Sequence, residues 1–183
     1  MAGEASASGF PFDLWLKDGR QVTVRAVRPE DRDELQAALK RLSEESRYAR
    51  FMSPLRELSP RMLDQATRPV PGRELQLVAV AREGAQEKIV AGARYAAAPG
   101  SRDCEFALAV VDDWQRLGLA RRLLAELIRA ARAGGFERME GYILASNAAM
   151  LGLAGQLGFA QVESPEGPSV RIVRCDLSRA GGT

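Results

Sequence analysis

Cys104–Ala131 reads CEFALAVVDDWQRLGLARRLLAELIRAA, and the place where its pattern changes decides how the chain is organised. Up to Val111 the apolar residues form a strand-like run. Beyond Leu119 they recur at Leu123, Leu124, Leu127, Ile128 and Ala131, the stripe of a helix with 3.6 residues per turn. Gly118 and Ala120, the smallest side chains, fall where the helix begins, and Arg121 and Arg122 follow in its first turn. The helix macrodipole already makes that end positive, so a helix left to itself prefers Asp or Glu there. Small residues and positive charge at one helix start point to an anion bound at that place.

Working outward, LQLVAVARE (75–83) and KIVAGARYAA (88–97) read as strands of a hairpin, separated by Gly84-Ala85-Gln86-Glu87. MEGYILAS (139–146) reads as the strand after the central helix, which Gly134-Gly135 ends. Asn147 to Leu157 reads as a short helix stopped by Gly158, and 159–163 and 170–177 make the last two strands. On the N-terminal side, Leu14-Trp15-Leu16 and Val22-Thr23-Val24 flank a hairpin turn containing Asp18-Gly19. Arg28-Pro29-Glu30-Asp31 opens a helix whose apolar face is Leu35, Leu39 and Leu42. A second helix covers 44–51, and a third starts at Ser59-Pro60, an N-cap followed by proline. The order is mixed rather than a regular alternation, and it predicts an α+β (mixed α/β) sheet in which one strand-helix-strand unit, 104–146, supplies a parallel pair with a right-handed crossover. A ligand is expected at the C-terminal end of the first strand of that unit.

Composition narrows the chemistry. The length, 183 residues, suits one domain, expected at 11–178 with disordered tails at 1–10 and 179–183. A net charge of +2 argues against nucleic acid or an anionic membrane as partner. The absence of a signal peptide or a long apolar run leads to the expectation of a cytoplasmic protein. Of the 26 basic residues, 23 are Arg, with Lys17, Lys40 and Lys88 the others, a bias that coding composition explains. Cys104 and Cys175 are too few for a disulfide framework. The chain has no histidine. That removes Ser-His-Asp and Cys-His hydrolases, His-based zinc sites and any His base, and no metal is expected.

Gln115-Arg116-Leu117-Gly118-Leu119-Ala120 fits the pattern [Q/R]-x-x-G-x-[G/A] between strand and helix. Free N–H groups of the first helical turn, Arg116, Arg121 and Arg122 would together cradle a phosphate. Taken alone, the pattern also fits a helix start that Gly118 merely eases, with solvated arginines. It is neither a Walker A loop nor the GxGxxG fingerprint.

Two blocks, ALAVVDDWQRLGLARRLLAELI and SNAAMLGLAGQLGF, together resemble the acyl-CoA-binding core of the GCN5-related N-acetyltransferases (GNAT superfamily). The second carries N-x(10)-G-F from Asn147 to Gly158-Phe159. VRAVRPEDRDEL, LSEESRYARFMSPLRELS and CEFALAVVDD extend the resemblance to the acetyltransferase domain of Pat-type bacterial protein lysine acetyltransferases, over roughly residues 14–177. The resemblance implies a central, mostly antiparallel twisted sheet with one splayed parallel strand pair, flanked by helices. It implies acetyl-CoA as acyl donor in the gap between strands 104–111 and 139–146. Backbone groups of Leu108 and Val110 would hold the thioester and pantetheine arm. Arg116, Leu117, Gly118, Leu119, Ala120 and Arg121 would hold the diphosphate. Asn147 would bond the pantetheine or order the splay, and as a preferred N-cap residue it also suits a purely structural role.

An amine acceptor must lose a proton, because lysine with a pKa of about 10.4 is almost wholly charged at neutral pH. Strand alternation puts Glu105 on one face with Ala107 and Ala109, leaving space above the strand, and Cys104, Phe106, Leu108 and Val110 on the other. Partial burial would raise the Glu105 pKa and suit it to a base role. A one-sided strand carrying a surface glutamate would look the same. The Pat-type resemblance places a catalytic glutamate at Glu105-Phe106-Ala107. Many relatives carry a tyrosine as acid for the leaving thiolate, where this chain has Ala154. Tyr48, Tyr95 and Tyr142 are read as partly buried core residues, and Cys104 points away from Glu105, against an acetyl-cysteine route.

The resulting expectation is acetyl transfer from acetyl-CoA to a primary amine, with a protein lysine as the preferred acceptor and an acyl-CoA synthetase among the possible protein partners. A small-molecule amine acetyltransferase and a non-catalytic acyl-CoA sensor are the rivals.

Overall fold

The computed structural model describes residues 9–165 and 167–178. Residues 1–8 and 179–183, most of the expected tails, lie outside them. The elements in chain order are β1 (Phe12–Trp15), β2 (Gln21–Ala26), a 3-10 turn (Pro29–Asp31), α1 (Arg32–Arg41), α2 (Glu44–Phe51) and α3 (Pro60–Thr67). There follow β3 (Glu74–Glu83), β4 (Gln86–Ala96), β5 (Asp103–Val110), α4 (Leu119–Ala133), β6 (Arg138–Leu144), α5 (Ala148–Gln156), β7 (Ala160–Val162) and β8 (Val170–Asp176). The sequence pattern placed each helix and strand within a few residues. Pro29 opens a 3-10 turn before the regular helix begins at Arg32.

One eight-stranded sheet runs in the order β1-β2-β3-β4-β5-β6-β8-β7. All neighbours are antiparallel except β5 and β6, the pair that the α4 crossover makes parallel. The α4 stripe Leu119, Leu123, Leu124, Leu127 is buried against the face bearing Tyr95, Phe106 and Val110. On the opposite face α1 lies over β4 and α2 over β5, with Ala38 packed on Val78, Val80 and Ile89. Ser43 and Ser59 cap α2 and α3 by accepting from Ser46 N and Met62 N, as Ser at an N-cap should.

The parallel pairing stops early. Asp103, Cys104 and Glu105 pair with Arg138, Met139 and Glu140, after which β5 continues to Val110 and β6 to Leu144 without a shared register. At this fork a Cβ on Gly141 would stand 2.2 Å from the Phe106 ring. The ring occupies the place of that side chain and meets Phe159 edge-on at 5.2 Å between centroids. Glycine at 141 is therefore required by close approach rather than by backbone conformation.

Gly141→Ala is expected to lower the free energy of unfolding by about 1–3 kcal/mol, the usual effect of overpacking. Urea unfolding reads this directly. Adding Phe106→Leu should make the double variant more stable than the two single effects sum to, and an unshifted midpoint for Gly141→Ala would overturn the packing argument.

Candidate active site

The alternation expected for β5 is present: Cys104, Phe106 and Val110 are buried on the α4 side, while Ala107 and Ala109 line a cavity on the other. Glu105 shares the cavity's face and forms the last paired position before the fork. Across the sheet its row reads Ala96, Glu105, Glu140 and Arg174, and the next row reads Gln76, Arg94 and Ala107. Arg94 is thus a diagonal neighbour of Glu105, within reach of long side chains. Glu105 is exposed at the surface, yet the protein crowding its carboxylate raises its pKa above the ordinary value. Burial is the main cause; the Arg94 and Arg50 charges oppose it and Glu140 reinforces it. Glu140 is itself held by Arg174 at 2.7 Å.

The backbone of β5 beyond Glu105 faces two ways. Val111 N–H donates to Val90 of the β4 strand at 2.9 Å, so by alternation Val110 and Leu108 turn their N–H and C=O groups toward the gap. The Gln115 side chain donates to the Val110 carbonyl at 3.0 Å.

The loop into α4 is built from two left-handed residues, Arg116 (φ 61) and Gly118 (φ 91). A non-glycine residue in that region costs about 1–2 kcal/mol, so Arg116 is strained. The handedness gathers successive N–H groups into a concavity, the arrangement that binds phosphates. The first intrahelical bond runs from Arg122 N to Gly118 O, which leaves the Leu119, Ala120 and Arg121 N–H groups without one. Leu117, by contrast, gives its carbonyl to Lys17 N at 3.3 Å. The positive side chains divide in a way the sequence does not reveal. Arg121 donates to Gln156 at 2.8 Å, and Arg122 turns back to Glu126 while stacking over Phe12. Arg116 is exposed at the loop. The Lys17 stem lies 3.7 Å from where a Gly118 Cβ would be, a cation brought by the N-terminal hairpin and missed in the sequence.

Asn147 caps α5, its side-chain oxygen accepting from Met150 N at 3.1 Å. Ala154, where the resemblance implies a tyrosine, is fully buried. Of the three tyrosines expected in the core, only Tyr95 is there, edge-on to Phe136. Tyr48 and Tyr142 are exposed, because α2 turns a polar face outward and Tyr142 stands on the unpacked side of β6. Tyr142 shares the face of Glu140 and hence of Glu105, just beyond the fork.

The cavity above Ala107 and Ala109 has a volume of about 230 Å³ and is bounded by α1, α2, α3 and the sheet. Leu35, Leu39, Phe51 and Met62 give it apolar walls, while Arg50, Arg94, Gln65 and Gln76 bring polar groups. Burial first, and then the neighbouring Arg94 charge, bring the Arg50 guanidinium down to about 10. A second, more open depression beside β7 and β8, near Glu163 and Arg171, shares no lining residue with this cavity. Asp112 ties the cavity side to the loop side, accepting from the Ser43 N–H and from the Ser43 and Ser46 hydroxyls. Burial opposes its ionisation, but these donors hold it below the usual carboxylate range. Among the described residues no cluster of His, Cys, Asp and Glu could hold a metal ion, and no helix is long and apolar enough to cross a membrane.

The strand fork, the left-handed loop into α4 and the Glu105 carboxylate beside a cavity form the candidate site. Comparison with known proteins gives the family. The Acetyltransferase (GNAT) family model matches residues 35–159. Acetyltransferase PA5475 of Pseudomonas aeruginosa is 36% identical over 168 residues, 90% of each chain. The crystal structure of the GNAT domain of S. lividans PAT superposes with a TM-score of 0.82 at 26% identity, covering 92% of this chain and 98% of that one. The fold also matches yncA of Salmonella typhimurium, solved with its cofactor acetyl-CoA, at a TM-score of 0.65 and 21% identity, over 88% and 96% of the two chains. With matches of this extent to both sequence and fold, the chain belongs to the GNAT family of acetyltransferases.

Proposed function

We propose that this acetyltransferase moves the acetyl group of acetyl-CoA to a primary amine by direct attack within a ternary complex, with Glu105 as the general base. The observation that carries this reading is the position of Glu105, at the last paired residue before the fork, with a pKa raised chiefly by burial. A carboxylate there can take the proton of an incoming ammonium directly or through one water. The neutral nitrogen then attacks the thioester carbonyl, the C–N bond forms, the C–S bond breaks, and the second proton of the nitrogen passes through water to the departing thiolate. N–H groups of β5 aimed into the gap, those of Leu108 and Val110, stabilise the oxygen as negative charge gathers on it. The loop Arg116–Arg121 takes the diphosphate on backbone N–H groups, with Arg116 and Lys17 as the nearby cations. Asn147 keeps α5 capped at the edge of the gap. No side chain on α5 protonates the sulfur, since Ala154 offers none. The coenzyme A thiolate is a tolerable leaving group without one.

Two acceptor classes remain distinct. A protein lysine, with an acyl-CoA synthetase among the candidate substrates, is supported by the sequence resemblance and by the likeness to the S. lividans PAT domain. A small amine is supported by the cavity beside Glu105, which has walls on several sides. Radiolabelled acetyl-CoA in a cell extract separates them: label in protein bands supports the first, label only in small molecules the second.

Glu105 must be ionised to accept a proton, and its pKa lies above the ordinary 4.5. kcat/KM is therefore expected to fall toward acid with a limb displaced upward from that value. Glu105→Gln should remove this limb and lower kcat by about 10²–10⁴-fold, while acetyl-CoA still binds by calorimetry. An unchanged kcat would exclude the base role. Gly118→Val forces a branched side chain into φ 91. The strain is expected to weaken acetyl-CoA binding by about tenfold, and an unaltered Kd would place the diphosphate elsewhere.

A further inference from the structure

Arg50 and Arg94 line the cavity beside Glu105, whose charge acts on both, but neither guanidinium forms a salt bridge with it. Among the described residues Arg50 forms no ion pair and donates no hydrogen bond; its guanidinium lies 4.6 Å from the Phe51 ring centre. Arg94 donates no hydrogen bond among them either, and its one ion pair, with Glu74, is stretched to 3.9 Å. Glu105 and the distant Glu74 compensate these two like charges only at a distance, so in a partly buried, apolar-walled space a bound anion would be stabilised between them. Guanidinium groups match carboxylates in particular, through paired N–H donors in one plane.

From this, and resting on the acetyl-transfer reading, we infer that the acceptor is a small primary amine bearing a carboxylate, an amino-acid-sized molecule whose anionic end lies between Arg50 and Arg94 and whose amine faces Glu105. The volume agrees. At about 230 Å³ the cavity falls below the ~300 Å³ at which pockets for drug-sized ligands begin. Leu35, Leu39 and Phe51 supply an apolar wall for the rest of the molecule, and Gln76, from the row shared by Arg94, adds a polar group to the floor. The charge balance agrees too. A bare ammonium entering the field of two arginines is repelled, whereas a zwitterion presents its carboxylate to them and its ammonium to Glu105. Once Glu105 has taken that proton, the neutral amine attacks, so the anionic contact serves positioning and does not enter the bond changes.

The test uses the purified full chain with acetyl-CoA, thiol release as readout, and a panel of free amino acids, each beside its carboxamide, together with lysine-containing peptides. At least one free amino acid is expected to be acetylated, and its amide to show a KM higher by about 10–100-fold, the effect of losing a charged hydrogen-bonded contact. Arg50→Gln and Arg94→Gln, checked for native melting, should raise KM for the acid to the level of the amide while kcat at saturation changes little. A role confined to tuning Glu105 would instead shift the pH profile for acid and amide alike, and would overturn the inference. Equal use of acid and amide, or transfer to lysine peptides alone, would overturn it as well. Calorimetry with the same amino acid separates the two levels. Binding that is lost in Arg94→Gln, without any transfer in the wild type, would uphold the carboxylate pocket and sink the acetyl-transfer reading.

Discussion

Where the Phe106 ring rests against the bare backbone of Gly141, two strands that have been paired through Glu105 and Glu140 part company. A sheet satisfies its polar backbone by lateral pairing, so a fork inside it leaves donors and acceptors with no strand to meet. Here those groups belong to β5 from Phe106 onward, and the fork exposes them in the middle of the sheet rather than at an edge. Phe159, at the end of the α5 turn, closes the aromatic contact from behind. The opening is thus maintained by packing in the core, where shape is enforced most strictly.

The residues of the candidate site are distributed about that fork. On one side lie the loop at Arg116–Ala120 and the start of α4; on the other lie Glu105, the two arginines and the cavity. The strand between them, β5, contributes its backbone edge to one side and its alternating alanines to the other. Two small residues at 107 and 109 follow the carboxylate, so the space above the strand is kept open by what is missing from the side chains.

Asp112 joins the two sides. Its carboxylate caps the start of α2 through the Ser43 N–H and hydroxyl and reaches Ser46, which also accepts from Gln115 at 3.1 Å. Gln115 in turn holds the Val110 carbonyl. The helix that carries Arg50 is therefore anchored to the same few residues that shape the phosphate-type loop. Displacement at either end is resisted by hydrogen bonds to a charged group, which are stronger than neutral ones.

The sequence by itself determined what is local. Helical and strand periodicities located the elements, the crossover length made β5 and β6 parallel, and period-two alternation put Glu105 with Ala107 and Ala109, because these follow from chain geometry over a few residues. The motif from Gln115 to Ala120 and the capping Asn147 were legible for the same reason. The tertiary structure alone decided what depends on distant segments meeting. It brought Arg50 from α2 and Arg94 from β4 beside Glu105, set Lys17 of the hairpin next to Gly118, and diverted Arg122 to Glu126 and Phe12. It also left Tyr48 and Tyr142 exposed when composition favoured burial. Side-chain charge acts through space over several ångströms, irrespective of separation along the chain, and so the electrostatics around Glu105 could be read only after folding had brought its contributors together.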